Sequence, residues 1–190
     1  MFEGKVKTVI DKVDALRHKV DDHWQVPRVE AEVLAQIVRL GHCVSLCEIG
    51  TSYGFSTLHL AAATREAGGH VDAFDLDPKK IAAAGAHLAE AGLSATVTLH
   101  QGDARQTVRA FHPAKPYDFA FIDATKDQSD GYLDALLPHL AKVAILVTDN
   151  TATHAQELAG FVARLRALPG ATGCQVPVGN GFDLTVVRRA

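Results

Sequence analysis

The chain has 190 residues, 47% hydrophobic and 22% charged, which suits one globular α/β-sized domain and leaves little room for a second. With 19 basic against 22 acidic residues the formal net charge is -3, so the basic excess that phosphate binding needs is lacking and nucleic acid is disfavoured as the main partner. There is no uncharged apolar run of about 18 residues to span a membrane, the charged amino-terminal stretch has no signal-peptide core, and three cysteines (Cys43, Cys47, Cys174) fit no disulfide framework, so a reduced, cytoplasmic protein is expected.

Val6, Val9, Ile10, Val13, Leu16 and Val20 recur at helical spacing and predict an amphipathic first helix, whose apolar face is a candidate contact for a homodimer. After a break over 21–27, a second helix begins near Pro27, a residue suited to a first helical turn, and buries Val29, Val33, Leu34, Ile37 and Val38. Gly41 is expected to end it in a left-handed conformation. Apolar runs that suit buried strands then follow at 43–49, 71–76, 95–99, 117–122 and 143–147. Between them lie alanine- and leucine-rich stretches long enough for helices, at 55–66, 78–91, 104–111, 132–140 and 154–168. Such alternation implies parallel strands joined by right-handed helical crossovers. At the end, 172–178 and 182–187 flank Gly179-Asn180-Gly181 and read as a hairpin, so one terminal strand runs against the rest. The expectation is an α/β fold: a doubly wound, mostly parallel, seven-stranded sheet with a carboxy-terminal antiparallel hairpin. It forms one domain over 1–190, with helices over 1–40 and the core over 41–190.

The chemistry collects at the strand ends, where ligands of open α/β sheets bind. The first strand hands over to a helix through Glu48-Ile49-Gly50-Thr51-Ser52-Tyr53-Gly54, where glycine permits a sharp turn and close approach of a ligand. The spacing is G-x-x-x-G, with Ser52 where a dinucleotide fingerprint has its middle glycine, which argues against NAD. Asp75 closes the second strand, and a carboxylate there suits the paired hydroxyls of a ribose. Gly102-Asp103-Ala104 follows the third strand, although Asp103 and Asp77 can equally cap the next helices.

The run CEIGTSYGFST resembles the first motif of class I methyltransferases, and in detail the catechol and caffeoyl-CoA O-methyltransferase group, over residues 26–187. The resemblance implies a Rossmann-like methyltransferase fold that binds S-adenosylmethionine. Glu48 and the loop of Gly50, Thr51, Ser52, Tyr53, Gly54 and Ser56 then lie near the methionine part. Asp75 and Leu76 lie at the ribose, Gly102, Asp103 and Ala104 by the adenine, and Asp123 beside the cofactor. A weaker match at Trp24 to Val26 implies a further cofactor contact.

Asp123 ends the fourth strand, and Asp149-Asn150 ends the fifth, so all three fall at adjacent strand ends. Two carboxylates and an amide make a hard oxygen set, suited to Mg²⁺ (or Mn²⁺ or Ca²⁺) and poor for zinc. Lys126 stands three residues beyond Asp123, close enough to act as a base, with Asp123 beside it in the catalytic group. FIDATK and TDN resemble the metal and base motifs of the same group, and together they imply methyl transfer to a hydroxyl of a small, catechol-like acceptor held on the metal. A metal-independent methyltransferase of another small molecule and an NAD-linked oxidoreductase are the competing readings.

The sequence also departs from the group. It lacks the Arg/Lys-Pro-Gly-Gly turn before the fifth strand and has Thr151-Ala152-Thr153 where an aliphatic residue and an aromatic are usual. Asn180 replaces an acid in the closing turn, where it can hydrogen-bond a substrate hydroxyl but cannot act as a base. Among the ten histidines none pairs at a metal-ligand spacing, and His154 reads as a surface residue. The cysteines read as core, Lys79-Lys80 as a solvated first turn, and Trp24 either as a cover for the cofactor or as packing for the first helix.

Overall fold

The computed structural model describes residues 2–17, 19 and 21–189. Val20, counted above on the first helix, lies outside the described residues. Helices α1 (Gly4–Leu16) and α2 (Arg28–Leu40) precede β1 (Ser45–Ile49). The chain then alternates through α3 (Phe55–Arg65), β2 (His70–Asp75), α4 (Pro78–Ala91), β3 (Val97–Gln101), α5 (Ala104–Ala110), β4 (Tyr117–Ile122), α6 (Ser129–Leu136), β5 (Leu140–Thr148) and α7 (Ala155–Arg166). Strands β6 (Ala171–Val176) and β7 (Phe182–Arg188) follow.

Among the described residues the strands form one seven-stranded sheet in the order β3-β2-β1-β4-β5-β7-β6. The neighbours from β3 to β5 pair in parallel, whereas β7 runs antiparallel to both β5 and β6. The order turns between β1 and β4, which opens a crevice at their carboxyl ends. The second hairpin strand is the inserted one, and β6 takes the edge. Burial accounts for this: Phe182, Val187 and the side chains between them are largely enclosed, while β6 carries exposed Thr172, Gly173 and Gln175. Insertion of β7 beside β5 brings the turn before it to the crevice.

Alternation along the strands divides the core. Leu46, Phe119 and Phe121 point to the layer of α1 to α4, and Cys47, Ala120 and Ile122 to the layer of α5 to α7. The apolar face of α1 (Val6, Val9, Ile10 and Val13) is buried against α3 and α4 of this same chain. The expected homodimer therefore has no support from that face. No helix among the described residues is long and apolar enough to cross a membrane.

Four local expectations are corrected. Val29, expected on the buried face of the second helix, is exposed. Gly41 keeps a right-handed φ of -76°, and His42 takes the left-handed φ of 50° instead. Glycine at 41 serves space, since a Cβ there would meet Cys43 Sγ and Ile145 Cδ1 at 2.8 Å. Cys174 is exposed on the edge strand, while Cys43 and Cys47 are core as expected. Residues expected to open the third strand form a 3-10 turn, Ser94–Thr96, ahead of β3.

Candidate active site

A cleft of about 870 Å³ lies over the strand ends. At its β1–β2–β3 end, Gly50 has φ 103°, and a Cβ there would come within 2.0 Å of the Asp123 carbonyl oxygen. Glycine thus lets the turn after β1 press onto the end of β4. Ser52, where a dinucleotide motif has glycine, takes a left-handed φ of 46°. Its N–H donates to Asp75 Oδ2 at 2.7 Å, and Asp77 N–H donates to Asp75 Oδ1 at 2.9 Å. Asp75 therefore ties the loop to the end of β2 and still faces the cleft, with lone pairs left for a ligand's hydroxyls. Gly54 caps α3 with φ 86°, and a Cβ there would lie 3.1 Å from Ala84 Cβ, so this glycine serves helix packing.

Of the residues expected at the cofactor, Gly50, Ser52, Asp75, Leu76, Gly102, Asp103, Ala104 and Asp123 line the cleft. Val26, Glu48, Thr51, Tyr53, Gly54 and Ser56 do not form its wall. Glu48 is fully buried; its Oε2 accepts from Thr57 Oγ1, and its Oε1 has no partner among the described residues. Burial pushes its carboxyl up to about 8. Tyr53 stacks on His23 with centroids 4.4 Å apart and donates to Asp22 Oδ1, which pins the segment before α2 over the loop. Asp103 caps α5 through Arg105 N–H and pairs with the Arg105 side chain, and Asp77 caps α4 through Lys79 N–H.

The wall also includes Trp24 and Gln25, which the sequence offered only as a weaker match, and Arg17 and Lys80, which it did not offer. Trp24 is 77% exposed and stands at the cleft with Lys80 Nζ 5.0 Å from its ring centroid. It does not pack the first helix, and Lys80 is not simply solvated.

At the β4–β5–β7 end, Asp123, Lys126, Asp149, Asn150 and Asn180 all reach the same cleft. Lys126 Nζ donates to Asp123 Oδ1 at 3.0 Å. Asp149 is 1% exposed; its Oδ1 accepts from Asn150 N–H, and its Oδ2 accepts from Asn180 Nδ2 at 3.4 Å. Asn150 holds a left-handed φ of 64°, a conformation that asparagine tolerates. His154 stands at the cleft half-exposed and bonded to Glu157.

The largest omission is Glu30. It is fully buried in the first turn of α2, and its Oε2 accepts from Asn180 N–H at 3.0 Å. A signal was present, because Glu30 precedes Leu34 and Val38 at the spacing of the buried face.

Burial and the neighbouring Asp149 carboxylate push Asp123 up to about 6. Burial and the Glu30 carboxylate push Asp149 up to about 8. No three His, Cys, Asp or Glu side chains form a ready metal cluster among the described residues. The expected ligand set, however, takes its third oxygen from an amide, Asn150. Buried carboxylates pressed together, with a buried Glu30 Oε1 that has no partner among the described residues, are what a hard divalent cation relieves. The donor set fits Mg²⁺ and lacks the nitrogen and sulfur that zinc prefers.

Residues 47–151 match a protein-family profile described as a methyltransferase domain. The chain belongs to that family. It is 35% identical over 105 residues to a catechol O-methyltransferase of Mycobacterium tuberculosis, covering 54% of this chain and 46% of that one. It is 26% identical over 177 residues to caffeoyl-CoA O-methyltransferase 2 of Petunia hybrida, covering 82% of this chain and 73% of that one. The chain spans about half the length of the curated relatives it matches at higher identity. The O-methyltransferase TomG of Streptomyces achromogenes, solved with SAM, superposes with a TM-score of 0.83 at 24% identity, covering 98% of this chain and 91% of that one. That likeness establishes the methyltransferase fold for this sheet and its crossover helices.

Proposed function

We propose that the chain is a single methyltransferase domain that carries a methyl group from S-adenosylmethionine to a hydroxyl of a small, catechol-like aromatic acceptor held on a divalent cation. The observation that carries this reading is the continuity of one cleft: Asp75 and the glycine loop face one end, and Asp123, Lys126, Asp149 and Asn150 face the other.

When bound, S-adenosylmethionine supplies the methyl group, whose C–S bond breaks as the C–O bond to the acceptor forms, leaving a thioether. A divalent cation supplies charge that favours the ionised acceptor oxygen. The protein's own residues do the rest. Asp75 accepts hydrogen bonds from two ribose hydroxyls while Ser52 and Asp77 hold it in place. Asp123, Asp149 and the Asn150 side-chain oxygen are the cation's ligands. Lys126 Nζ takes the proton from the acceptor hydroxyl. Asn180, at the closing turn, donates to or accepts from a second acceptor oxygen and fixes the ring's orientation.

The test is a screen with saturating S-adenosylmethionine over catechols, flavonoids and hydroxycinnamoyl esters, with Mg²⁺ and with excess chelator. Methylated catechol formed only with metal is the expected result. Turnover that ignores the chelator would favour a metal-independent methyltransferase, and a thermal shift with NAD but none with S-adenosylmethionine would overturn the assignment.

A further inference from the structure

Helix α2 packs Ala31, Leu34, Ala35 and Val38 into the core, and Glu30 lies on the same side with no exposed surface. An ionised carboxylate in such a place is costly unless it meets donors or positive charge. Its surroundings meet it only halfway. Oε2 accepts the Asn180 N–H at 3.0 Å, and Gly179 passes so close that a Cβ there would lie 2.3 Å from that oxygen. Oε1 meets no N–H or hydroxyl donor among the described residues. The carboxylate touches Asp149, with Asp123 and Lys126 beyond. The Lys126 side chain is already bonded to Asp123, and the adjacent Arg28 turns away to Asp11 and Asp14. Three acids thus converge where one lysine is in reach.

We infer that Glu30 is a positioning residue of the divalent-cation site, placing a third negative charge behind Asp149 while it holds the turn that presents Asn180. The inference rests on the metal-dependent reading above and adds to it a residue from α2. Glu30 is not on the cleft wall, so it acts through Asp149 and Asn180 and does not touch the acceptor. The same carboxylate could serve only to anchor the turn, and the two roles separate chemically. Glutamine keeps an oxygen for the Asn180 N–H and removes the charge. Aspartate keeps the charge and loses reach to Asn180.

The experiment is a titration of the purified full chain with Mn²⁺, followed by the electron-spin signal of the free ion, beside calorimetric binding of S-adenosylmethionine and metal-free thermal melting. Glu30→Gln should weaken Mn²⁺ binding by about tenfold or more, as loss of a supporting carboxylate does, with S-adenosylmethionine affinity unchanged. The rise in melting temperature on adding Mn²⁺ should shrink with it. Glu30→Asp should bind Mn²⁺ more tightly than Glu30→Gln; the reverse order overturns the inference. Asp149→Ala separates the two levels. If it loses Mn²⁺ while Glu30→Gln binds like the wild type, Glu30 alone is refuted. If the wild type binds no Mn²⁺ with or without S-adenosylmethionine, the metal reading and this inference fall together.

Discussion

At the β1–β2–β3 end of the cleft each carboxylate is met by donors from neighbouring backbone: Asp75 by Ser52 and Asp77, Asp103 by Arg105. At the β4–β5–β7 end the carboxylates meet each other, with Asp149 between Asp123 and Glu30 and a lysine bonded to one of them. The first arrangement is complete within the chain and needs only a guest of matching shape. The second keeps acids together at electrostatic cost, and a bound positive charge repays it. Cofactor binding and cation binding should therefore fail separately when each end is damaged.

The largest effect is expected at the acidic end. Asp149→Ala should abolish metal-dependent methyl transfer while calorimetry still shows S-adenosylmethionine binding; a variant fully active in excess chelator would break the comparison. Lys126→Ala should lower kcat by about 10²–10⁴-fold, the usual loss when a proton acceptor is removed, with cofactor affinity near that of the wild type. Unchanged kcat would remove Lys126 from the chemistry. At the other end, Asp75→Ala should weaken S-adenosylmethionine about 10- to 100-fold, as expected for lost charge-assisted hydrogen bonds, and leave Mn²⁺ affinity alone. Weakening of both ligands together would show that the ends are not independent.

The smallest effect concerns pH. The Glu48 carboxyl, raised by burial from an ordinary 4.5 to about 8, holds its proton in the folded state where the unfolded chain has lost it. Its contribution to stability is full below about pH 4.5, falls as the pH rises toward 8, and is level above that. Glu48→Gln should lose less stability than the wild type between those limits in urea melts at stepped pH. Parallel curves for the two proteins would show that the Glu48 proton plays no part.

Much of the fold was legible because parallel strands buried on both faces read as continuous apolar runs, and the segments at 117–122 and 78–91 coincide with β4 and α4. Placement of β7 inside the sheet was not, since a hairpin pattern does not say which of its strands takes the edge. At the site, Asp123, Asp149, Asn150 and Lys126 converge because strand ends concentrate chemistry along one rim. Glu30 escaped because its contribution depends on a turn far along the chain, and a glutamate in a first helical turn normally reads as helix-dipole complement. Gly54 and Glu48 belong to the signature loop in sequence yet face helix packing and the interior, a direction that spacing alone does not reveal.

Glu30 and Asn180 are separated by 150 positions, so their hydrogen bond closes nearly the whole chain. During synthesis β1 to β4 emerge long before the hairpin, and the β1–β2–β3 end can be shaped while the acidic end still waits for its last turn. Contacts of such long separation form late. On the metal-dependent reading proposed above, a nascent chain halted before the hairpin would lack Asn180 and its bond to Asp149, making ion uptake a marker that the final strand has docked.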